Sequence, residues 1–74
     1  MIMNRYEVVA ECSGVSTPIC HYDTVEQAQT AIIAMRKRFP NDTYRIAEFY
    51  LQDERTGAIR YTGKIIHVDF IEVE

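Results

Sequence analysis

The sequence has no tryptophan and only three glycines, two prolines and two cysteines among its 74 residues. So little glycine and proline excludes a collagen-like or low-complexity chain. Two cysteines are too few for the disulfide framework of a small secreted domain, so Cys12 and Cys20 are expected to be reduced, buried and inert. The apolar share of 47% and the charged share of 26% are typical of one folded domain over residues 1–74.

Long hydrophobic runs are also absent. No stretch reaches the roughly 18 apolar residues of a membrane span, and the first residues lack the basic start and apolar run of a signal peptide. We therefore expect a cytoplasmic protein with no membrane partner. A domain of this size buries only about 60% of the surface that its unfolded chain exposes, so most large apolar residues are needed for packing.

Motifs that would indicate an enzyme are missing. There is no glycine-rich phosphate loop, no serine-nucleophile motif and no separated pair of acids. Zinc could use only Cys12, Cys20, His21 and His67, and a thiol enzyme could use Cys20 with a histidine that Asp69 orients. Adjacent Cys20 and His21 would point to opposite sides of a strand, and His67 is distant in sequence. We expect no catalytic residue, no metal and no cofactor.

Alternation of apolar and polar residues predicts the strands. Residues 4–12 alternate with the period of a half-buried strand, and residues 19–22 could return as a short second strand of a hairpin. Two runs rich in aromatic and β-branched residues predict strands at 43–52 and 57–72, joined by the polar loop DERTG. Gly63 is expected to mark a bulge or bend in the last strand.

The segment DTVEQAQTAIIAMRKRFPND predicts one amphipathic helix of about four turns. Asp23 and Glu26 indicate a capped start, and Pro40 requires a stop near Phe39. The apolar positions that recur every three or four residues are expected to be buried: Val25, Ala28, Ala31, Ile32, Met35 and Phe39. The predicted fold is α+β, a two-layer sandwich with a twisted antiparallel sheet of three to five strands and one helix, in the order β(β)αββ(β).

Apolar residues occupy both sides of the predicted sheet. One helix covers only one side, so part of the other side is apolar and is expected to contact a protein. An alternative is that tyrosine and isoleucine are simply favoured on a solvated sheet by cross-strand pairing. In the third strand, one side carries Tyr44, Ile46 and Tyr50, and the other carries Ala47, Phe49 and Leu51.

Charge is distributed unevenly along a chain whose net charge is −3. Residues 36–64 are basic on balance, whereas residues 65–74 carry acids only. A basic hairpin of Arg45, Arg55, Arg60 and Lys64 could bind nucleic acid together with Arg36, Lys37 and Arg38 at the helix end and with the tyrosines Tyr44, Tyr50 and Tyr61. The acidic pI of about 5.3 favours weak or absent nucleic-acid binding.

In length, acidic charge and lack of catalytic motifs, the chain resembles small accessory proteins of phages and other mobile elements, including inhibitors of host defence such as anti-CRISPR proteins. This resemblance implies a non-catalytic inhibitor or adaptor that occupies a protein surface, whose target could be a nucleic-acid-handling protein. A homodimer is also expected, with residues 65–73 in contact with basic residues of a second copy. The alternative is a small nucleic-acid-binding regulator that uses the basic hairpin. The predicted partner-binding residues are Tyr44, Tyr50, Arg55, Arg60, Tyr61, His67, Asp69 and Glu72.

Overall fold

The computed structural model describes residues 3–68, which form a four-stranded antiparallel sheet and a helix. The elements are β1 Asn4–Cys12, β2 Val15–Tyr22, α1 Val25–Arg38, β3 Thr43–Asp53 and β4 Ala58–His67. The strands lie in the order β2-β1-β3-β4, so β2 and β4 are the edges of the described sheet. The predicted α+β fold is confirmed. The predicted continuation of the last strand over residues 69–72 lies outside the described residues.

The first hairpin is longer than its sequence suggests, because β2 begins at Val15 and not at residue 19. Ser13 and Gly14 form its two-residue turn with φ angles of 54° and 81°, the left-handed region that tight hairpin turns require. Pro18 lies next to a shift of register in the β1–β2 ladder. Proline is tolerated at such a position of an edge strand, although it obscured the strand in the sequence.

The start of α1 is capped one residue later than predicted. The Thr24 side chain accepts a hydrogen bond from the Gln27 amide at 3.1 Å, and the Gln27 side chain accepts one from the Asp23 amide at 3.1 Å. The capping pair is therefore Thr24 with Gln27, not Asp23 with Glu26. The Asp23 carboxylate instead forms an ion pair with Arg5 at 3.0 Å.

The end of α1 corrects a second prediction. The helix ends at Arg38, and Phe39 leaves the helical path with φ −131° and ψ 73°. Its side chain is 54% exposed, so the prediction that Phe39 belongs to the core was wrong. The Tyr44 hydroxyl lies within hydrogen-bond distance of the carbonyl oxygens of Met35 at 3.4 Å and Phe39 at 3.2 Å, which also accept the backbone N–H groups of Phe39 and Asp42. Tyr44 thus links β3 to the end of the helix.

The core between helix and sheet is small. Ala28 and Ile32 of α1 pack on Val8 of β1 and Ile46 of β3, and all four are fully buried. The predicted burial of Ile32 is therefore confirmed. Partly buried residues surround this cluster: Tyr6, Tyr22, Val25, Met35, Tyr44, Ile66 and Val68.

Gly63 lies at a bulge, as predicted. The pairs Ala47–Ile65 and Phe49–Tyr61 show that β4 advances four residues where β3 advances two. Gly63 has φ +92°, which a glycine adopts without steric cost. The bulge does not split the strand, because β4 continues from Ala58 to His67.

Both cysteines are exposed, so the prediction that they are buried was wrong. Cys12 ends β1 beside the turn, and Cys20 lies on the edge strand β2, where only one neighbouring strand shields it. Cys20 pairs with Val8 and His21 pairs with Glu7, so the two adjacent residues point to opposite sides of the sheet, as expected.

Candidate functional site

Helix α1 packs on one side of the sheet and leaves the other side free of it. Strand alternation and register assign the side chains of this second side, here called the open face. They are Arg5, Glu7, Val9 and Glu11 of β1, Ser16, Pro18 and His21 of β2, Thr43, Arg45, Ala47, Phe49 and Leu51 of β3, and Ile59, Tyr61, Ile65 and His67 of β4.

Phe49 lies on the open face and is nevertheless only 2% exposed. The His21 ring lies 4.4 Å from it between centroids at an interplanar angle of 48°. The Tyr61 ring lies 6.2 Å away in an edge-on arrangement at 63°. These are favourable geometries for aromatic pairs. The His21 ring of β2 and the Tyr61 ring of β4 thus cover Phe49 on the side of the sheet where no helix packs.

A buried carboxylate holds these two rings. Glu7 is 5% exposed, and its Oε2 lies 2.9 Å from His21 Nε2. Its Oε1 accepts a hydrogen bond from the Tyr61 hydroxyl at 2.8 Å. Because both oxygens are bonded, the cost of burying the charge is offset. Glu7 therefore fixes a cluster that spans all four strands, here called the Glu7 cluster: Glu7, His21, Phe49 and Tyr61.

The Glu7 cluster affects the titration of its phenol. The hydrogen bond to Glu7, followed by burial, raises the pKa of Tyr61 above its usual value of 10.0. Tyr61 therefore keeps its proton and continues to donate to Glu7 throughout the neutral pH range.

An imidazole beside a carboxylate is also an arrangement that orients catalytic bases. The Cys20 thiol, however, points to the other side of the sheet and donates to the His21 carbonyl oxygen at 3.8 Å. Next to His21 there is an open hollow of about 380 Å³, whose lining includes the ion-paired Arg5 and Asp23. Among residues 3–68, no three potential metal ligands come together. Cys20 and His21 therefore do not form a nucleophile–base pair in this structure.

Exposed apolar side chains flank the Glu7 cluster on β3 and β4. Three cross-strand pairs follow one another along the two strands: Ala47 with Ile65, Phe49 with Tyr61, and Leu51 with Ile59. We call these six residues the apolar strip. Leu51 is 42% exposed, Tyr61 50% and Ile65 41%, so the strip offers contact area that the described residues leave uncovered.

The arginines of the open face are already neutralised. Arg5 pairs with Asp23 at 3.0 Å, and Arg45 pairs with Glu11 at 3.8 Å. A partner that docks on the open face therefore meets little unbalanced charge.

The structure disperses the predicted partner-binding residues. Tyr61 and His67 lie on the open face, with His67 opposite Arg45. Tyr44 supports the end of α1, on the helix side. Asp69 and Glu72 lie outside the described residues.

The basic hairpin does not form one patch. Arg45 is on the open face, whereas Arg60 pairs with Tyr50, whose position in β3 is on the helix side. Arg55 lies in the exposed turn, where its amide donates to the Asp53 carboxylate at 2.9 Å.

Sequence reasoning missed the role of Glu7 and the burial of Phe49, and it considered His21 only as a possible zinc ligand. Glu7 looks like the solvated residue of an alternating strand, and nothing local predicts its burial. Only the pairing of β1 with β2 and the position of β4 two strands away bring its partners to it.

The chain matches no protein-family model, no curated protein and no solved structure. Among the residues that the structure describes, no helix has the length and apolar character needed to cross a membrane.

Proposed function

We propose that this chain is a non-catalytic protein-binding domain whose open face docks on the surface of a target protein. The observation that carries the proposal is the apolar strip, whose exposed side chains on β3 and β4 lie beside the buried, fully bonded Glu7 carboxylate of β1, on the side of the sheet away from α1. A contiguous apolar patch with a polar rim is typical of protein contacts.

The composition of the open face supports a protein as its partner. The centres of protein interfaces are enriched in aromatic residues and depleted of unpaired charge, and aromatic anchors contribute much of the binding energy. Tyr61 is such an anchor, because half of its side chain is exposed while its hydroxyl is held by Glu7. A side chain that is fixed before binding loses less conformational entropy when the partner arrives.

The open face fits a mode of action in which the chain binds to and covers part of the surface of its target. The chain would act as an inhibitor or adaptor in the cytoplasm, blocking or bridging a surface of its target without chemistry. Its likeness in size and composition to phage accessory proteins and anti-CRISPR proteins supports the same proposal. A target that itself handles nucleic acid belongs to this proposal.

Matched lysine variants test the proposal. Ile65→Lys places a charge on the apolar strip, and Ile33→Lys places the same charge at a helix position that is 46% exposed. Immobilised wild type and both variants are used to capture proteins from a lysate of the native cells, with quantitative mass spectrometry. We expect proteins that wild type and Ile33→Lys retain and Ile65→Lys loses. Equal capture by all three folded proteins would contradict the use of the open face.

The basic hairpin supports a second candidate, a small nucleic-acid-binding regulator. Among residues 3–68, the side chains of Arg55, Arg60 and Lys64 form no ion pair, and Tyr50 lies beside Arg60 in register. Arginine and tyrosine together can bind single-stranded nucleic acid by charge and stacking. An Arg55→Ala, Arg60→Ala variant that lost salt-sensitive binding to a mixed-sequence oligonucleotide would support this candidate, and absence of binding by wild type would exclude it.

A further inference from the structure

The apolar strip extends to both sides of its central pair. That pair is Phe49 with Tyr61, and an apolar pair lies on each side of it along the strands. Ala47 and Leu51 are each two residues from Phe49, about 7 Å away along β3. A large exposed apolar side chain therefore lies toward each end, Leu51 at 42% and Ile65 at 41%, whereas Ala47 beside Ile65 is only 6% exposed.

We infer that a second copy of this chain covers the open face, in a two-fold dimer whose axis crosses the strands above the Phe49–Tyr61 pair. This inference rests on the proposed function, because it takes the open face to be a protein-binding surface. The axis reverses the strand direction, so Tyr61 meets its own copy and Ile65 of each protomer packs on Leu51 and Ile59 of the other. Such an interface is isologous, and each contact occurs twice.

The area of the open face is sufficient for a stable dimer. Four strands of 8 to 11 residues present a face, whose flat area is roughly 600 Å² at strand spacings of about 4.8 Å and a rise of about 3.4 Å per residue. A standard interface buries about 800 Å² of accessible surface on each partner, and accessible surface exceeds the flat area beneath it. Two sheets packed face to face at about 10 Å form the interior of a sandwich.

Electrostatics permit this pairing. The six residues of the strip carry no charge, and the arginines beside it are paired with acids of their own protomer. Arg5 is in register with Phe49, so the axis also brings the two copies of Arg5 toward each other, and the ion pair that each makes with its own Asp23 offsets this approach of like charges. A strongly charged partner would gain nothing there.

The proposed dimer regulates target binding. One open face cannot hold a second copy and a target at the same time. The dimer is the form that the protein takes without its target, and target binding competes with self-association by mass action.

A charge-pairing experiment tests the register of the dimer. Ile65 and Leu51 have nearly equal exposure, 41% and 42%. In the proposed arrangement, Ile65→Lys and Leu51→Glu each place two charges against apolar residues of the partner, so each variant alone should dimerise at least about tenfold more weakly than wild type. A mixture of the two variants forms a heterodimer with one lysine–glutamate contact and one intact leucine–isoleucine contact. Ile33→Lys is the matched control and should dimerise like wild type.

Sedimentation equilibrium from about 1 to about 100 μM measures each species, in the micromolar range where such interfaces dissociate. We expect wild type and Ile33→Lys at twice the monomer mass of 8.6 kDa, the single variants nearer to one, and the mixture restored. A wild type that stays monomeric, a dimer that Ile65→Lys leaves intact, or a mixture that fails to associate would overturn the dimer. If wild type is monomeric but the capture experiment still depends on Ile65, the inference falls and the proposed function stands. If the dimer forms with this register but no target is captured, the inference stands and the proposed function falls.

Discussion

Glu7 Oε1 and the Tyr61 hydroxyl are joined by a hydrogen bond of 2.8 Å between residues 54 positions apart in the chain, on strands that are not neighbours. The bond reaches over β3 and encloses Phe49 beneath it. It determines the orientation of the exposed aromatic residue on which the proposed binding surface depends.

Loss of this bond should destabilise the domain. We expect Tyr61→Phe to lower the free energy of unfolding by about 1–2 kcal/mol, because it leaves one oxygen of a buried carboxylate without its donor. Tyr50→Phe is the matched control, since Tyr50 is half-buried and has no side-chain hydrogen bond within residues 3–68. Urea denaturation followed by circular dichroism measures both. Equal losses in the two variants would show that the Glu7 bond contributes little.

The same bond predicts a dependence on alkaline pH. The folded-state pKa of Tyr61 is raised above 10.0, so its contribution to stability is fully present below 10.0 and is lost as pH rises through the raised value. Wild type should therefore lose stability as pH rises above 10.0 and through the raised pKa of Tyr61, and Tyr61→Phe should lose less. The pKa values of Tyr22 and Tyr44 are also raised, so part of the loss remains in the variant. Thermal unfolding of wild type and Tyr61→Phe, from neutral pH to above 10.0, measures this difference. An equal loss of stability in both proteins would contradict the assignment.

Two apolar residues of the helix region should differ strongly in their importance. Ile32 is a fully buried residue of α1, so Ile32→Ala should lower the free energy of unfolding by about 2–5 kcal/mol. This is a large part of the total stability of so small a domain. Phe39 is 54% exposed, so Phe39→Ala should cost less than about 1 kcal/mol. Chemical denaturation of the pair compares them directly. A Phe39→Ala loss as large as that of Ile32→Ala would contradict the helix end described above.

The bulge in β4 should depend on backbone conformation alone. No heavy atom lies within 4 Å of a Cβ added at Gly63, whereas its φ of +92° is one that alanine rarely adopts. Gly63→Ala should therefore cost about 1–2 kcal/mol. Gly63→Asn should cost less, because asparagine tolerates positive φ better. Equal stability of glycine and alanine at this position would argue against the bulge.

The fold could be predicted from the sequence because its signals are local. Alternation in residues 4–12 and the three-and-four spacing around Ile32 correctly predicted a strand and a helix, and Val8, Ala28 and Ile32 face the core. Parity also divided β3 correctly into two sides, and the structure shows that Ile46 faces the helix and Phe49 faces away from it.

The site was less predictable because its contacts are not local. His21 pairs with Glu7 across one ladder, and Tyr61 reaches Glu7 over an intervening strand.

Phe39 was misassigned because periodicity continues past the residue at which the backbone leaves the helix. The two cysteines were misassigned because their apolar character does not reveal that one ends a strand and the other lies on an edge.

Photo-crosslinking tests the central claim, that the open face is the protein-binding surface, most directly. The photoreactive amino acid p-benzoylphenylalanine replaces Leu51 in one variant and Phe39 in another, two apolar positions with exposures of 42% and 54% on different surfaces. Both folded variants are irradiated in the native cells, and adducts are identified by mass spectrometry. The account predicts adducts to a target protein from position 51 and few or none from position 39. Target adducts from position 39 with none from position 51 would contradict it.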